Sequence, residues 1–340
     1  MPAMPDTLVL HAPNVHMGGG LVLLKALVAA GGINPRWAQI DARAADQLNF
    51  PVSTRVDRVR PSLGARLHAE MRLWRHVTAG DRVLCFHGLP PLLPLRGSVI
   101  VFLQNRILVD RLKLTDYPLG LRLRLELERL WFRWRFPKRG RLVVQSDSMA
   151  RAARRLLGEA TDIAVLPFAW LVKPEVQTAS PSHDFVYVAS DEPHKNHRNL
   201  LEAWRLLGEA GLFPSLALTV DPASPLAELI EAFAQRHGVK IDNLGRLSSS
   251  QIEDLYRSSK ALVYASVRES LGLPLLEARN QGLPILAPEL DYVRDIVEPA
   301  ETFDPLSPVS IARAVRRFIG KAEKPRAVLD PAQWLREVLA

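Results

Sequence analysis

The stretch Ala261-Leu262-Val263-Tyr264-Ala265-Ser266-Val267-Arg268-Glu269-Ser270-Leu271-Gly272-Leu273-Pro274-Leu275-Leu276-Glu277-Ala278 decides the fold. Its first five residues read as a buried strand. A short polar loop follows, then Gly272, then Pro274 at the first position of a helix. That helix, expected over 274–281, stops at Gly282, and 284–287 begin the next strand. The backbone N–H groups around Ser270, Leu271, Gly272 and Leu273 would then open at a helix N-terminus, where unpaired donors favour an anion. A glycine at that point lets a diphosphate come close to the backbone. Glu277 stands about one turn inside the helix, placed to accept hydrogen bonds from vicinal hydroxyls such as those of a ribose. Glu269, on the loop before it, can do the same for a second polyol. Two carboxylates flanking an anion cradle suit a nucleotide-sugar donor.

The same alternation continues on both sides of this unit. Upstream in the second half, strands are expected over 184–189, 215–220 and 239–244 and helices over 199–210 and 226–237. Ser248 caps a further helix over 249–258. In the first half, strands are expected over 7–11, 82–86, 98–103, 142–145 and 163–166, with helices over 21–30 and 148–157. Strand alternating with helix predicts parallel sheets covered on both faces, an α/β class with two Rossmann-like doubly wound domains facing a cleft. At 340 residues the chain exceeds the usual growth of one core. We place the N-terminal, acceptor-side domain over 1–172 and a nucleotide-sugar-binding domain over 173–322. The polar stretch 173–182 serves as linker, and a C-terminal helix in 323–340 packs back on the first domain.

With these residues in view, the chain resembles the retaining glycosyltransferases of family 4. Glu269 and Glu277 match that family's Glu-x7-Glu signature. Asn243-Leu244-Gly245-Arg246-Leu247 resembles its loop beside the nucleotide base, and Val186-Tyr187-Val188-Ala189-Ser190-Asp191-Glu192-Pro193-His194-Lys195-Asn196-His197 its phosphate-contact loop. Gly282-Leu283-Pro284 and Arg294-Asp295 follow the later pattern. The resemblance implies a GT-B fold, a UDP- or GDP-sugar donor, retention of configuration, no cofactor and no metal ion. It implies that Lys195 contacts the diphosphate, Glu277 the ribose and Glu269 the transferred sugar, with Glu269 and Lys195 as the catalytic pair. Ser190, Gly245, Leu247, Ser270, Leu271, Gly272 and Leu273 complete the donor site. Two positions depart from the family pattern. Ser190 stands where many members carry arginine, and Gln104-Asn105 stand where many carry a histidine that meets the donor sugar. Either amide can donate a hydrogen bond there, and neither can act as a base.

Gly18-Gly19-Gly20 lacks the Lys-Ser/Thr of a P-loop and the spacing of a dinucleotide fingerprint. It reads as a tight turn whose Gly19 and Gly20 face the cleft. His87 ends a strand at the cleft rim, where a structural role competes with a substrate contact. Nine histidines and one cysteine, Cys85, show no metal-ligand spacing. A single cysteine fits a reducing compartment, and the first ten residues carry no basic start or apolar run, so a cytoplasmic protein is expected.

The net charge of +8 is unevenly spread. Residues 106–155 hold 14 Lys/Arg and 5 Asp/Glu, which is +9, leaving 8 − 9 = −1 for the remainder. Inside this segment Leu119, Leu123, Leu127, Leu130 and Trp134 follow helical spacing. A core-facing helix with a solvated basic face accounts for the leucines. It accounts less well for Trp131, Phe132, Trp134 and Phe136 beside five Lys/Arg between Arg133 and Arg141. Aromatic, basic amphipathic helices lie on anionic bilayers. We therefore expect segment 106–155 to meet an anionic membrane surface, peripheral on the inner face of the plasma membrane.

The function that fits is transfer of a sugar to a glycan or lipid-linked acceptor in surface-polysaccharide or lipopolysaccharide synthesis. The alternatives are a related sugar-nucleotide epimerase, and a non-enzymatic binder of anionic lipid or nucleic acid. The near-neutral charge of the motif-bearing half argues against nucleic acid as a partner.

Overall fold

The computed structural model describes residues 8–29, 33–110, 114–115, 117–169 and 181–322. Two all-parallel sheets carry the chain. The first holds β1 (Leu8–Ala12), β2 (Trp37–Asp41), β3 (Arg55–Val59), β4 (Arg82–Cys85), β5 (Ser98–Phe102), β6 (Arg141–Val144) and β7 (Asp162–Val165), in the order β3-β2-β1-β4-β5-β6-β7. The second holds β8 (His183–Tyr187), β9 (Leu216–Leu218), β10 (Ile241–Asn243), β11 (Ser259–Val263), β12 (Ile285–Pro288) and β13 (Glu301–Phe303), in the order β10-β9-β8-β11-β12-β13. Each sheet is entered at its middle and wound outward in both directions, so each has one point where the winding reverses. In the first sheet that point lies between β1 and β4; in the second it lies between β8 and β11.

The connecting helices are α1 (Gly18–Ala29), α2 (Leu63–His76), α3 (Leu119–Arg135), α4 (Asp147–Leu157), α5 (His197–Glu209), α6 (Pro225–His237), α7 (Ser249–Arg257), α8 (Leu273–Asn280), α9 (Asp291–Arg294) and α10 (Pro308–Phe318). Central strands are largely apolar where helices cover both faces: β8 ends in buried Phe185, Val186 and Tyr187, and β11 in buried Ala261, Leu262 and Val263. Burying each such large side chain contributes about 1.5–3 kcal/mol. The second-domain core closes around Trp204, whose indole N–H donates to the carbonyl of Pro214 at 2.9 Å. Ser248 caps α7 as expected, in a reciprocal capping box with Gln251.

Several expectations change. The segments β2, β3, α2, β13 and α10 have no counterpart among the expected elements. β2 is fully buried yet polar at Gln39 and Asp41, and β3 is an exposed edge strand of alternating charge. Gly18, Gly19 and Gly20 are the first residues of α1 rather than a turn before it. Helix α8 begins at Leu273, with Pro274 inside its first turn. The linker over 173–180 and the C-terminal helix in 323–340 lie outside the described residues, as does the junction at 172–173.

The largest correction concerns α3. Its helical state follows the expectation, but the leucine set does not face the core. Leu119, Leu123, Leu127, Leu130 and Trp134 are all exposed, and α3 packs inward through Leu125 and Phe132. Phe132 joins the first-domain core beside Phe136, and Leu125 meets Ile107 and Leu114.

Candidate functional site

The two winding reversals place four loops at the carboxyl ends of central strands, where side chains from separate segments converge. In the second domain the loop after β8 carries Lys195 and the loop after β11 carries Glu269. The Lys195 Nζ donates to Glu269 Oε1 at 2.8 Å, with the two side chains only 15% and 11% exposed. Tyr264 Oη donates to the same oxygen at 2.8 Å. Burial alone would raise the Glu269 pKa, but the Lys195 charge and hydrogen bond, together with His194 and the Ser266 hydroxyl, more than offset it, so the carboxylate sits below its ordinary range. Burial and the neighbouring Glu269 push the Tyr264 phenol well up, so it stays neutral and donates.

Backbone geometry fixes this pair. Tyr187 Oη donates to the carbonyl of Lys195 at 2.7 Å. Asn196 adopts a left-handed conformation, φ 61°, which asparagine tolerates better than most residues. Its side-chain amide donates to the carbonyls of Ala265 at 3.1 Å and Pro305 at 2.7 Å, tying the Lys195 loop to the end of β11. Asn196 is therefore a turn residue.

Gly272, φ 74°, precedes α8; a Cβ there would lie 3.0 Å from Leu275 Cδ1. The helix N-terminus thus opens directly after Ser270 and Leu271, beside Glu269. One turn on, Glu277 Oε2 accepts from Tyr256 Oη at 3.0 Å, and Oε1 makes no hydrogen bond among the described residues. Burial raises the Glu277 pKa. Gly245 turns at φ 72°, against Pro222, while Leu247 packs on the domain core. Ser190 is exposed, its hydroxyl turned to Glu192, so it does not extend the Lys195 cluster.

The first domain brings its own candidates to the same place. A Cβ on Gly19 would lie 3.2 Å from Leu273 Cδ1, and one on Gly20 would lie 3.0 Å from Gln104 Oε1. The triple glycine is thus where the first domain's backbone approaches the α8 N-terminus. Gln104 Nε2 donates to the carbonyl of Phe86 at 2.6 Å, and Asn105 Oδ1 accepts from the Ile107 amide at 3.0 Å. Asn105 thus caps the short turn Arg106–Leu108 through its side-chain oxygen, which does not use its amide N–H donors. His87 packs edge-on to His11 at 4.9 Å, and its Nδ1 donates to the His11 carbonyl at 3.2 Å. Burial and the adjacent His11 lower the His87 pKa to about 3, so it is neutral. Beneath it, His11 bridges Gln39 Oε1 at 2.7 Å and Glu70 Oε1 at 3.2 Å. That buried cluster has no local sequence signature, since its members come from β1, β2 and α2.

Contacts between the domains were also invisible in the sequence. Arg106 Nη1 donates to the carbonyl of Glu269 at 3.3 Å and to Ser148 Oγ at 3.2 Å. Ser146 Oγ donates to the carbonyl of Ser270 at 3.1 Å. Asp295 Oδ2 accepts from the Ser148 amide at 2.8 Å, so a carboxylate of one domain caps α4 of the other. Arg268 Nε lies 3.3 Å from Asp110 Oδ2, and Tyr117 Oη is 3.1 Å from His194 Nδ1. Arg268 and Asp295 stood within quoted motifs; their partners did not. Among the described residues no three His, Cys, Asp or Glu side chains converge as a metal-binding group.

Solved structures align with this arrangement over nearly its whole length. A sucrose-phosphate synthase from Thermosynechococcus elongatus superposes with a TM-score of 0.70 at 14% identity, over 92% of this chain and 89% of that one. HepE of Anabaena, solved in complex with UDP and glucose, gives 0.64 at 14% identity over 92% and 89%. WaaG, a glycosyltransferase involved in lipopolysaccharide biosynthesis, gives 0.59 at 16% identity over 92% and 90%. The chain has the GT-B fold. Residues 171–332 match the family model described as Glycosyl transferases group 1. Among curated proteins, the serotype-specific mannosyltransferase WbdA of Escherichia coli is 30% identical over 165 residues, 46% of this chain and 20% of that protein. The O-antigen chain mannosyltransferase B of Escherichia coli is 29% identical over 116 residues, 33% and 30% of the two chains. The matched region therefore spans less than a third of either mannosyltransferase.

Proposed function

We propose that this chain is a metal-independent, retaining glycosyltransferase that moves a sugar from a UDP- or GDP-sugar to a glycan or lipid-linked acceptor in lipopolysaccharide or surface-polysaccharide synthesis. One observation carries the reading: Lys195 and Glu269 meet at 2.8 Å across the winding reversal of the second sheet, directly before the α8 N-terminus. The family match over 171–332 covers this constellation. The relatives named for O-antigen mannose transfer and lipopolysaccharide synthesis support the setting.

In this reading Glu277 Oε1 accepts from the ribose hydroxyls while Tyr256 holds Oε2. The amides of Ser270, Leu271, Gly272 and Leu273 donate to phosphate and sugar oxygens. Gly245 and Leu247 line the base side, and exposed Ser190 stands at the mouth. Lys195 supplies a cation to the departing diphosphate, with Arg106 beside it, so charge developing in the transition state meets preorganised donors. Glu269 orients the transferred sugar and is not required as a nucleophile. The acceptor hydroxyl attacks on the leaving group's face, and its proton passes to the departing diphosphate. Gly19, Gly20, Gln104 and His87 shape the acceptor side. A lipid-linked acceptor is presented at an anionic membrane surface, and segment 106–155 belongs to the domain that would meet it.

Thermal-shift screening against UDP-, GDP- and dTDP-sugars identifies the donor, because a ligand of the folded state raises its apparent stability. Donor turnover is then compared in wild type, Glu269→Gln and Lys195→Ala. Both variants are expected to lose turnover. Unchanged turnover in both refutes the site, and donor conversion without any acceptor refutes transfer in favour of epimerisation.

A further inference from the structure

A second helix repeats the outward apolar face of α3. On α2, Leu63, Leu67, Met71 and Trp74 are exposed, Leu63 to 87%. Their spacing, i, i+4, i+8 and i+11, is the spacing of Leu119, Leu123, Leu127 and Leu130 on α3, which Trp134 extends by one more turn. On α3 the exposed row includes Leu119 at 70%, Leu127 at 66% and Trp134 at 75%. At about 100° per residue each row spans roughly a quarter of the helix circumference, a coherent stripe and not scattered exposure. The two helices lie on the same side of the first domain, since Leu73 of α2 and Phe132 of α3 enter one core cluster.

The charges around the α3 stripe say what would cover it. On the helical wheel Arg122 and Arg133 run along one edge of the row with Glu126 between them, and Arg124, paired with Glu128, lies along the other, the arginines roughly 90° from its centre. Lys138 and Arg139 extend the basic edge past the helix end and are exposed. Apolar side chains in the centre with guanidinium groups on both flanks match the vertical order of a bilayer interface, acyl region below and anionic headgroups at the side. Paired copies of the same chain would instead bring these flanking cations together. The second domain contributes none of the excess positive charge, so the field that attracts an anionic surface belongs to the first domain.

We propose that α2 and α3 together form a two-helix docking face that seats the first domain on a bilayer containing anionic lipid. The proposal rests on and deepens the membrane part of the proposed function: α2 is a second anchor, and the leucine and tryptophan rows, not the basic charge alone, enter the interface. Two rows side by side also fix the rotation of the domain on the surface, which a single helix leaves free.

The test is co-sedimentation of the full chain with vesicles of pure phosphatidylcholine and of equal parts phosphatidylcholine and phosphatidylglycerol. Binding is expected to the anionic vesicles and to fall with salt. Leu123→Glu/Leu127→Glu on α3 and Leu63→Glu/Leu67→Glu on α2 replace exposed side chains and leave the core intact. Each pair is expected to weaken binding at least about tenfold, with thermal midpoint and soluble-donor turnover unchanged. Undiminished binding by the α2 pair overturns the two-helix face. So does absence of vesicle binding, or a dimer on gel filtration that the same substitutions dissolve. Vesicle binding without donor turnover supports the docking face while refuting glycosyl transfer; donor turnover on a soluble acceptor without vesicle binding does the reverse.

Discussion

The Lys195–Glu269 contact can be a structural ion pair or a working one, and a double-mutant cycle separates the two. Lys195→Met leaves Glu269, 11% exposed, with its charge and the hydroxyls of Tyr264 and Ser266. Removing one partner of a buried pair costs about 3–5 kcal/mol, because the other charge stays desolvated. Glu269→Gln should cost less, about 1–3 kcal/mol, since the amide oxygen still accepts from Tyr264 and Lys195. In the double variant the buried group is neutral and needs no cation. Its stability should therefore exceed that of Lys195→Met alone, a coupling of about 2 kcal/mol. Urea unfolding measures this side of the cycle. Donor turnover measures the other, and each single variant is expected to lose about 100- to 1000-fold, the usual cost of deleting a preorganised electrostatic partner. The double variant should regain stability and not turnover. If turnover returns together with stability, the pair holds the loop in place and does no chemistry, and the site reading fails.

Other outcomes test neighbouring parts of the site. Tyr256→Phe removes the donor to Glu277 Oε2, and the donor KM should rise about tenfold with kcat little changed; a fall in kcat at constant KM would place Glu277 elsewhere in the reaction. Gly19→Val drives a branched side chain toward Leu273 Cδ1, already 3.2 Å from the position of a Cβ. Overpacking of about 1–3 kcal/mol should fall on the approach of the domains, raising donor KM while the urea midpoint holds. His197 is buried against Tyr187 at 5.1 Å, and burial lowers its pKa to about 4 from 6.5. Below pH 6.5 the unfolded chain takes up a proton that the folded chain refuses until about pH 4, so stability falls across that window. From pH 7 to pH 5 the loss is about 2 kcal/mol, and His197→Phe should flatten the slope in urea titrations by that amount.

How much of this was legible beforehand follows from the range of the forces involved. The second domain's strands and helices alternate with strong apolar period and with glycine or serine at their ends, so β8, β11, α7 and α8 were readable within a residue or two. The motif residues Lys195, Glu269 and Glu277 were readable too, because each follows a strand or opens a helix by local rules. In contrast, β2 and β3 look like loops. Gln39 is tolerated in a buried strand because His11, 28 residues earlier, donates to its Oε1 and its own amide donates to the Ala69 carbonyl, and Glu70 of α2 is stabilised there by the same histidine. The tyrosines that hold the site carboxylates, Tyr264 on Glu269 and Tyr256 on Glu277, read in sequence as ordinary core aromatics.

Residues 261–278 alone determined a strand, an anion-opening helix and two carboxylates flanking its start, because those are consequences of chain direction and helical pitch. Periodicity likewise determined that Leu119, Leu123, Leu127, Leu130 and Trp134 share one face. It could not determine which way that face points. Only the tertiary structure decided that, by seating Leu125 and Phe132 against the domain and leaving the leucine row outside. A helical period carries no phase relative to a core that distant segments build.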